Sequence, residues 1–270
     1  MPKRKSYIQT ETNKMKVKIS NGIEFKKLLT VLNEFNDNLI LTCLQEKFEI
    51  FCLTSCHTSI MTVDIPNTYF KEFQYETDMK LGIRLKVWLG CLKKLTSKDE
   101  VTLEHKDGTN ECKLIITKQD REIEYIIKLM DIEQDAMEIP ECDWNIQIEM
   151  ASTHLKNLVA EVVDNTCAPM GIEPTKDSIN LQSEGQEFSV KTTQEYTEDC
   201  YKVVHNAPKA ISLSAKSWKI AAKSGDISDT IRLGWQNDVP VNVRGTFGKG
   251  ARFNMWFAPM MGNDDDEEMS

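Results

Sequence analysis

The sequence contains no apolar run of the roughly 18 residues that a membrane-spanning helix needs. Its amino-terminal segment, MPKRKSYIQTETNK, is basic and polar and lacks the apolar stretch of a secretory signal. We therefore expect a protein that remains inside the cell, without membrane contact. The PKRK segment resembles a nuclear address, although a basic solvated tail explains it equally well.

The cysteines lack the paired short spacing of a structural zinc site, since no Cys-x-x-Cys occurs. They are scattered along the chain, many within apolar runs: Cys43, Cys52, Cys56, Cys91, Cys112, Cys142, Cys167 and Cys200. We expect no metal site, and reduced cysteines that pack as small hydrophobic side chains.

Signatures of common catalytic and cofactor sites are also missing. There is no GxxxxGK[ST], no GxGxxG before a helix and no HExxH. The histidines are far apart and share no spacing: His57, His105, His154 and His205. Cys56 and His57 are adjacent, but a nucleophile and its base usually come from distant segments. We expect a protein that is not an enzyme and binds no cofactor.

Charge does not by itself exclude a nucleic-acid partner. The formal net charge is −9, yet the distribution of charges determines electrostatic steering. Part of the negative charge lies in a short acidic run at residues 263–268, which we interpret as a disordered end.

The chain does contain a repeated order of predicted elements, helix, strands, helix, strands, in each half. The predicted helices span residues 22–35, 85–95, 152–164 and 214–223. The predicted strands span residues 39–44, 48–53, 59–65, 100–105, 113–117, 122–129, 178–182, 187–193, 201–204, 230–235, 239–244 and 252–257. Between the halves, residues 130–142 are acidic and aperiodic, as expected of an extended connector.

The four predicted helices share a lysine-rich face with few acids. Lysine is a good helix former, which explains any single case, but the same bias on four helices indicates a surface that faces phosphates. The residues of this phosphate-facing set, which the resemblance described below makes the candidate DNA-binding residues, are Lys26, Lys27, Lys93, Lys94, Lys216, Lys219 and Lys223, with Lys156 nearby.

Four short motifs resemble the proliferating cell nuclear antigen (PCNA) family of DNA sliding clamps. IKLMDIEQDAMEIPE at residues 127–141 resembles the end of that family's first domain and its interdomain connector. SCHTS at 55–59, DVPVNV at 238–243 and FAPM at 257–260 resemble a turn, a late strand and the carboxyl terminus. The motifs follow the family's order over residues 15–270.

The resemblance implies an α+β DNA-clamp fold, with two repeated domains that each pack two helices on antiparallel sheets. The expected divisions are an extension at 1–14, domains at 15–129 and 144–260, a connector at 130–143 and an acidic tail at 261–270. Three subunits would join head to tail, pairing the edge strands at 122–129 and 187–193. The homotrimer would encircle double-stranded DNA and serve a polymerase, a clamp loader and other replication and repair proteins.

The resemblance also assigns candidate sites. A groove for partner peptides would consist of Leu53, His57, Ile60, Met137, Ile139, Pro140, Pro240, Trp256, Ala258 and Pro259, apolar walls with an adaptable methionine. Lys176 occupies the position of a lysine that takes ubiquitin-type modifiers, although Ser178 replaces the family's glycine. Asn157 and Ala160 stand where the family has basic residues, which predicts a weaker grip on DNA in the second domain.

Two alternatives keep the fold and change the role. The chain would then be one subunit of a heterotrimeric checkpoint clamp, or a clamp-like interaction module that no longer encircles DNA. Trp88, Trp218, Trp235 and Trp256 depart from the residues expected at their positions. This divergence suggests a distant eukaryote or a large DNA virus, so the site of action is the nucleus or a viral replication site.

Overall fold

The computed structural model describes residues 14–19, 21–133, 144, 146–197, 200–202, 210–236 and 239–260, with only the backbone at 200–202. The helices of this part of the chain are α1 (Gly22–Leu32), α2 (Leu85–Cys91), α3 (Ser152–Val159) and α4 (Ala215–Ala222). The strands of the first half are β1 (Lys14–Ile19), β2 (Asn38–Cys43), β3 (Lys47–Leu53), β4 (Ser59–Pro66), β5 (Glu72–Gln74), β6 (Met79–Arg84), β7 (Glu100–Lys106), β8 (Glu111–Thr117) and β9 (Glu122–Lys128). Those of the second half are β10 (Ile146–Ala151), β11 (Met170–Pro174), β12 (Ser178–Glu184), β13 (Ser189–Glu195), β14 (Cys200–Lys202), β15 (Ile211–Leu213), β16 (Thr230–Trp235), β17 (Val241–Phe247) and β18 (Ala251–Phe257).

The strands form three antiparallel sheets. One sheet has the order β5-β1-β7-β8-β9 and another β13-β12-β11-β15, whereas the third runs β14-β10-β16-β17-β18-β4-β3-β2-β6. The third sheet contains strands of both halves, joined where β18 pairs with β4. The two repeated halves therefore share one continuous nine-stranded sheet.

The nine-stranded sheet has a buried face and an outer face. Side chains alternate between the two faces of a strand, and β3 follows this rule with Phe48, Ile50 and Cys52 buried. The Sγ atom of Cys52 donates a hydrogen bond to the carbonyl oxygen of Leu32 in α1, 3.7 Å away. The buried face is thus covered by helices, and Leu53 lies on the outer face.

The four helices form a single layer over that buried face. Helix α1 contacts α2 and the 3-10 turn that continues α4, and α4 contacts α3. The apolar stripe predicted for α1 is buried in the common core, and the side chain of Asn21 caps its first turn by accepting from the backbone N–H of Glu24. The helices therefore present their remaining sides away from the sheet.

The predicted helices are confirmed, with shorter ends. Helix α2 stops at Cys91 rather than residue 95, because a turn follows in which the backbone N–H of Leu95 donates to the carbonyl of Leu92. In the same turn the buried Asp99 carboxylate accepts from the backbone N–H of Thr96 and pairs with the half-buried Lys118, 2.5 Å away. Helix α3 continues as a π-helical stretch over Ala160–Asp164, within the predicted span.

The sequence analysis missed several strands. They are β1, β5, β6, β10, β11 and β15. Strand β1 alternates lysine with buried apolar side chains in the sequence KMKVKI. Half of its residues are lysine, so its composition is polar, but its inward face is part of the core. The strand begins at Lys14, which pairs with Lys106. Lys14 lies one residue before the predicted start of the first domain at residue 15.

The prediction that the cysteines pack as small hydrophobic residues was wrong for Cys56 and Cys167. Both are exposed, and Cys91 is half-buried, whereas Cys43, Cys52 and Cys112 are buried. Cys167 follows α3 with a φ of 52° that ends the helix, which places its side chain in solvent rather than in the core. Cys142 and the side chain of Cys200 lie outside the described residues.

Candidate functional site

The lysines predicted to bind DNA lie on α1 and α4 and in the turns that follow α2 and α4. Lys27, Lys93, Lys94, Lys216, Lys219 and Lys223 are exposed. Lys26 is half-buried, and its Nζ donates a hydrogen bond to the carbonyl oxygen of Lys93, 3.2 Å away. The structure thus brings the lysines of α1 next to those of the turn after α2.

The expectation that this surface holds few acids needs correction. Lys219 pairs with Asp164 at 3.0 Å and Lys223 with Glu34 at 3.9 Å. Both carboxylates come from neighbouring helical segments, which the pattern within one helix does not reveal. Exposed ion pairs of this kind are weak and are screened by salt, so either lysine can exchange its partner for a phosphate. The other five lysines of the set have no carboxylate within 4.0 Å among the described residues.

Helix α3 carries fewer lysines than α4, and the weaker grip on DNA in the second domain stays a prediction. Asn157 and Ala160 are exposed and uncharged. The neighbouring Lys156 lies 3.8 Å from Asp226. The second domain therefore offers lysines from α4 alone, apart from this paired one.

The strand residues of the predicted peptide groove lie side by side on the outer face of the nine-stranded sheet. Leu53 is opposite Ile60, and Ile60 is opposite Trp256, across three adjacent strands. Leu53 and Ile60 are half-buried, so they are not plain core residues. Ala258 and Pro259 continue from the end of β18, where the backbone N–H of Ala258 donates to the carbonyl of Thr58.

The connector is held at its start by a contact with β6. The backbone N–H of Met130 donates to the carbonyl of Gly82, 2.8 Å away, in an isolated antiparallel bridge. A Cβ atom at position 82 would lie 2.1 Å from the carbonyl oxygen of Met130. Only glycine permits the connector to approach the outer face this closely.

The far end of the connector is held by tryptophan packing. The Trp144 ring lies over Gly234, where a Cβ atom would be 2.9 Å from Cγ of the indole. Its centroid is 5.4 Å from that of Trp256. Trp144 was missed by the sequence analysis, and its only signal was a large aromatic residue directly after the acidic connector. Met130 and Trp144, the described residues on either side of the undescribed part of the connector, thus both contact the outer face of the sheet.

The other predicted groove residues lie outside the three paired strands or outside the described residues. Pro240 is half-buried before β17, whereas His57 is exposed at a φ of 59° in the turn between β3 and β4. Met137, Ile139 and Pro140 fall within residues 134–143, which are outside the described ranges.

No catalytic pair forms between Cys56 and His57. The Cys56 Sγ is 3.0 Å from Oγ1 of Thr58 and 3.6 Å from Oγ1 of Thr54. Hydrogen bonding with the hydroxyls of Thr58 and Thr54 lowers the pKa of the Cys56 thiol to about 7, with a small contribution from the positive charge of Lys216. The exposed thiol is therefore partly ionised at neutral pH.

The two strands predicted to pair between subunits are edge strands. β9 ends the five-stranded sheet and β13 ends the four-stranded sheet. Ile126 on β9 is 57% exposed, and Phe188, just before β13, is 49% exposed. Unpaired backbone groups beside large exposed apolar side chains are typical of a surface that pairs with another chain.

The remaining predictions concern a modification site, metals and membranes. Lys176 is exposed in the turn between β11 and β12, which Thr175 and Ser178 close through their side chains. Among the described residues no group of three or more histidine, cysteine or acidic side chains is arranged to hold a metal ion. In the same ranges no helix is long and apolar enough to cross a bilayer.

A polar cavity of about 450 Å³ lies between the start of α1 and the loop before β16. Glu24 and Lys27 line one side, and Asp226 and Asp229 line the other. It lies away from the predicted peptide groove, with which it shares no residue.

The chain is similar to known clamps over nearly its whole length. The sequence model described as "Proliferating cell nuclear antigen, N-terminal domain" matches residues 14–138. The proliferating cell nuclear antigen of Chaetomium thermophilum is 20% identical over 259 residues, which are 93% of this chain and 100% of that protein. Proliferating cell nuclear antigen 2 of Plasmodium falciparum is 21% identical over 84% of this chain and 89% of its own length.

A solved structure agrees with the fold. The crystal structure of the proliferating cellular nuclear antigen of Entamoeba histolytica superposes with a TM-score of 0.85 at 21% identity, covering 92% of this chain and 99% of that one. The predicted α+β clamp fold is thereby confirmed. The chain is therefore similar to the proliferating cell nuclear antigen family of DNA sliding clamps, by its match to the family model in the first half and by its fold over nearly the whole length.

Proposed function

We propose that three copies of this chain form a closed ring around duplex DNA and tether a polymerase and other replication and repair proteins to it. The observation that carries the proposal is the separation of two surfaces by one sheet. The lysine-bearing helices cover one face, and the strand residues of the proposed groove, Leu53, Ile60 and Trp256, lie on the other. A ring with the helices inside would place lysines at the DNA and the groove on the outside.

Lysine suits a sliding contact, because it offers a mobile charge to phosphates and reads no base edge. Such contacts are weak, independent of sequence and strongly dependent on salt. The residues proposed to line the hole are Lys26, Lys27, Lys93, Lys94, Lys216, Lys219 and Lys223.

The proposed subunit contact is antiparallel pairing of the β9 edge with the β13 edge of the next copy. Head-to-tail contacts of this kind close into a ring when the rotation per subunit is right. Light scattering after size exclusion should give a species of three times the 30.9 kDa chain mass. A persistent monomer at high concentration would favour the heterotrimeric or non-encircling alternatives.

The substitution Ile126→Glu should dissociate the trimer, because it places a carboxylate in the apolar part of the β9 edge. Val87→Glu is the matched control, since Val87 is also a large exposed hydrophobic residue but lies on α2. A trimer that survives Ile126→Glu would contradict the proposed contact.

Encirclement can be tested without a clamp loader. The protein is threaded onto linear duplex DNA at high concentration, the DNA ends are blocked with streptavidin, and the salt is raised to about 0.5 M, where electrostatic contacts are screened. A topologically linked ring stays on the DNA, and release on salt addition would contradict encirclement.

The lysines are tested by quadruple substitution to glutamate. Changing Lys27, Lys93, Lys94 and Lys216 should reduce threading strongly while the trimer remains intact. The control changes the same number of exposed lysines off the helix layer, at positions 80, 106, 176 and 249. Equal threading by both variants would remove the helix layer as the DNA-facing surface.

Two further assignments belong to the same proposal. Exposed Lys176 is the candidate acceptor of a ubiquitin-type modifier, to be tested by Lys176→Arg in a modification assay. The site of action is the nucleus or a viral replication site, as for a replication clamp.

A further inference from the structure

Three arginines form a cluster on the outer face of the nine-stranded sheet. Arg232 on β16 is directly opposite Arg244 on β17. Arg244 is opposite Asn254, and Arg252 lies two residues before Asn254 on β18, so Arg252 is a diagonal neighbour of Arg244. We call Arg232, Arg244 and Arg252 the arginine cluster.

The arginine cluster is continuous with the proposed groove. Trp256 is opposite Asn242, which lies two residues before Arg244 on the same strand and face. Arg244 and Trp256 are therefore diagonal neighbours, a relation that places their Cα atoms roughly 7–8 Å apart. A peptide anchored against Trp256 has the cluster within one or two residues of its path.

Nearby acids compensate the cluster only in part. Arg232 donates to the carboxylate of Glu149, and Arg244 donates to the neutral side chain of Gln147. Asp64 lies opposite Arg252, but its carboxylate is bound to Lys47 at 2.9 Å. Arg252 forms no ion pair within the described ranges.

Such a cluster is unfavourable without a ligand. Like charges directly opposite each other destabilise a sheet. Burial lowers the pKa of the Arg244 guanidinium, and the charge of Arg232 lowers it further. This concentration of positive charge lies in a chain whose net charge is −9. A second negative partner from outside would relieve the repulsion.

Resting on the peptide groove proposed above, we infer that the arginine cluster binds an acidic segment of the partner peptide next to its apolar anchors. Guanidinium groups bind carboxylates through paired, charge-assisted hydrogen bonds. An extended peptide places alternate side chains about 7 Å apart, which matches the diagonal spacing of the arginines. Acidic side chains fit better than DNA, because the cluster lies on the face opposite the helix layer.

The test compares two synthetic peptides with the same aliphatic and aromatic anchors, one flanked by four aspartates and the other by four asparagines. Fluorescence anisotropy should show the aspartate peptide binding about three- to tenfold more tightly at 50 mM salt, since each exposed ion pair contributes roughly 1.4- to fivefold. The preference should disappear near 0.5 M salt, where such pairs are screened.

The decisive variant is the double substitution Arg244→Gln and Arg252→Gln, which keeps the Arg232 pair intact. It should bring the two peptides to equal affinity without changing the affinity for the asparagine peptide. The control removes two exposed arginines elsewhere, Arg84→Gln and Arg121→Gln, and should keep the preference.

Several outcomes would overturn the inference. An unchanged preference in the double variant would exclude the cluster as the acidic-segment site while leaving the groove in place. Failure of the wild-type protein to bind either peptide would remove the groove itself and, with it, this inference. If truncation after residue 260 raises the affinity for the aspartate peptide in the wild type alone, the chain's own acidic tail is the ligand. A loss of DNA retention in the double variant with unchanged peptide preference would assign the cluster to DNA.

Discussion

The contact between Gly82 and the connector allows a sharp test of how the outer surface is built. The substitution Gly82→Ala adds a Cβ atom that would lie 2.1 Å from the carbonyl oxygen of Met130 and 3.2 Å from Cδ1 of Ile132. The carbonyl belongs to the backbone, so it cannot rotate away as a flexible side chain does. The start of the connector must move by roughly 1.5 Å to restore an ordinary contact.

The expected cost follows from what this movement breaks. The hydrogen bond from the Met130 N–H to the Gly82 carbonyl is 2.8 Å long, and its loss costs about 0.5–1.5 kcal/mol. With the disturbed packing at Ile132 we expect about 1–3 kcal/mol in total. For a chain of this size that corresponds to a decrease in Tm of roughly 2–10 °C. Peptide binding should weaken as well, because Met130 and Ile132 begin the connector that contributes Met137, Ile139 and Pro140 to the proposed groove.

Gly90→Ala is the matched control. Gly90 is exposed on α2, and a Cβ atom there has nothing within 4 Å. Alanine is a better helix former than glycine, so this variant should gain roughly 0.5–1 kcal/mol. Thermal unfolding, amide hydrogen exchange at Met130 and peptide anisotropy are compared at equal protein concentration. Unchanged stability and unchanged exchange at Met130 in Gly82→Ala would refute the close approach of the connector.

Two further predictions concern ionisable groups. Alkylation of Cys56 by iodoacetamide should rise with pH around a midpoint of about 7, and Thr58→Val should move the midpoint upward, whereas a wild-type midpoint near 9 would exclude activation by the hydroxyls. The Lys118 ammonium lowers the pKa of the buried Asp99 carboxyl. The ion pair therefore stabilises the folded protein above the unfolded-state pKa of Asp99, and this stabilisation is lost as the pH falls through the lower folded-state pKa. In urea unfolding, Asp99→Asn should therefore destabilise the protein at pH 7 but much less near pH 3, and an equal loss at both pH values would contradict the ion pair.

The parts of the fold that follow from local periodicity were predictable. Phe25, Leu28, Leu29 and Leu32 recur at helical spacing, and all four are buried in α1. The alternation in β3 and β4 likewise matches their buried and outer faces. Strand β6 was not predicted, because it contains Gly82 and glycine is a weak strand former. The glycine is needed there for the close contact with Met130, which is distant in sequence.

The features that depend on distant residues were not predictable from the sequence. Arg232 meets Glu149 across 83 positions and Arg244 meets Gln147 across 97. No local period connects such residues, so the arginine cluster becomes visible only from the order and register of the strands. For the same reason, the carboxylate partner of Lys219 appears only when α3 and α4 are packed together.

The pairing of β4 with β18 explains how one chain can hold DNA and a protein partner at the same time. It joins the two halves into one sheet, so the same strands that support the helices on one face carry Ile60 and Trp256 on the other. In the proposed ring, a partner bound in the groove is separated from the DNA by the full thickness of sheet and helices. Its binding energy then comes from apolar anchors and the arginine cluster, neither of which contacts the sliding surface. Tight tethering and weak contact with DNA are therefore compatible, because different faces of the sheet determine the two affinities.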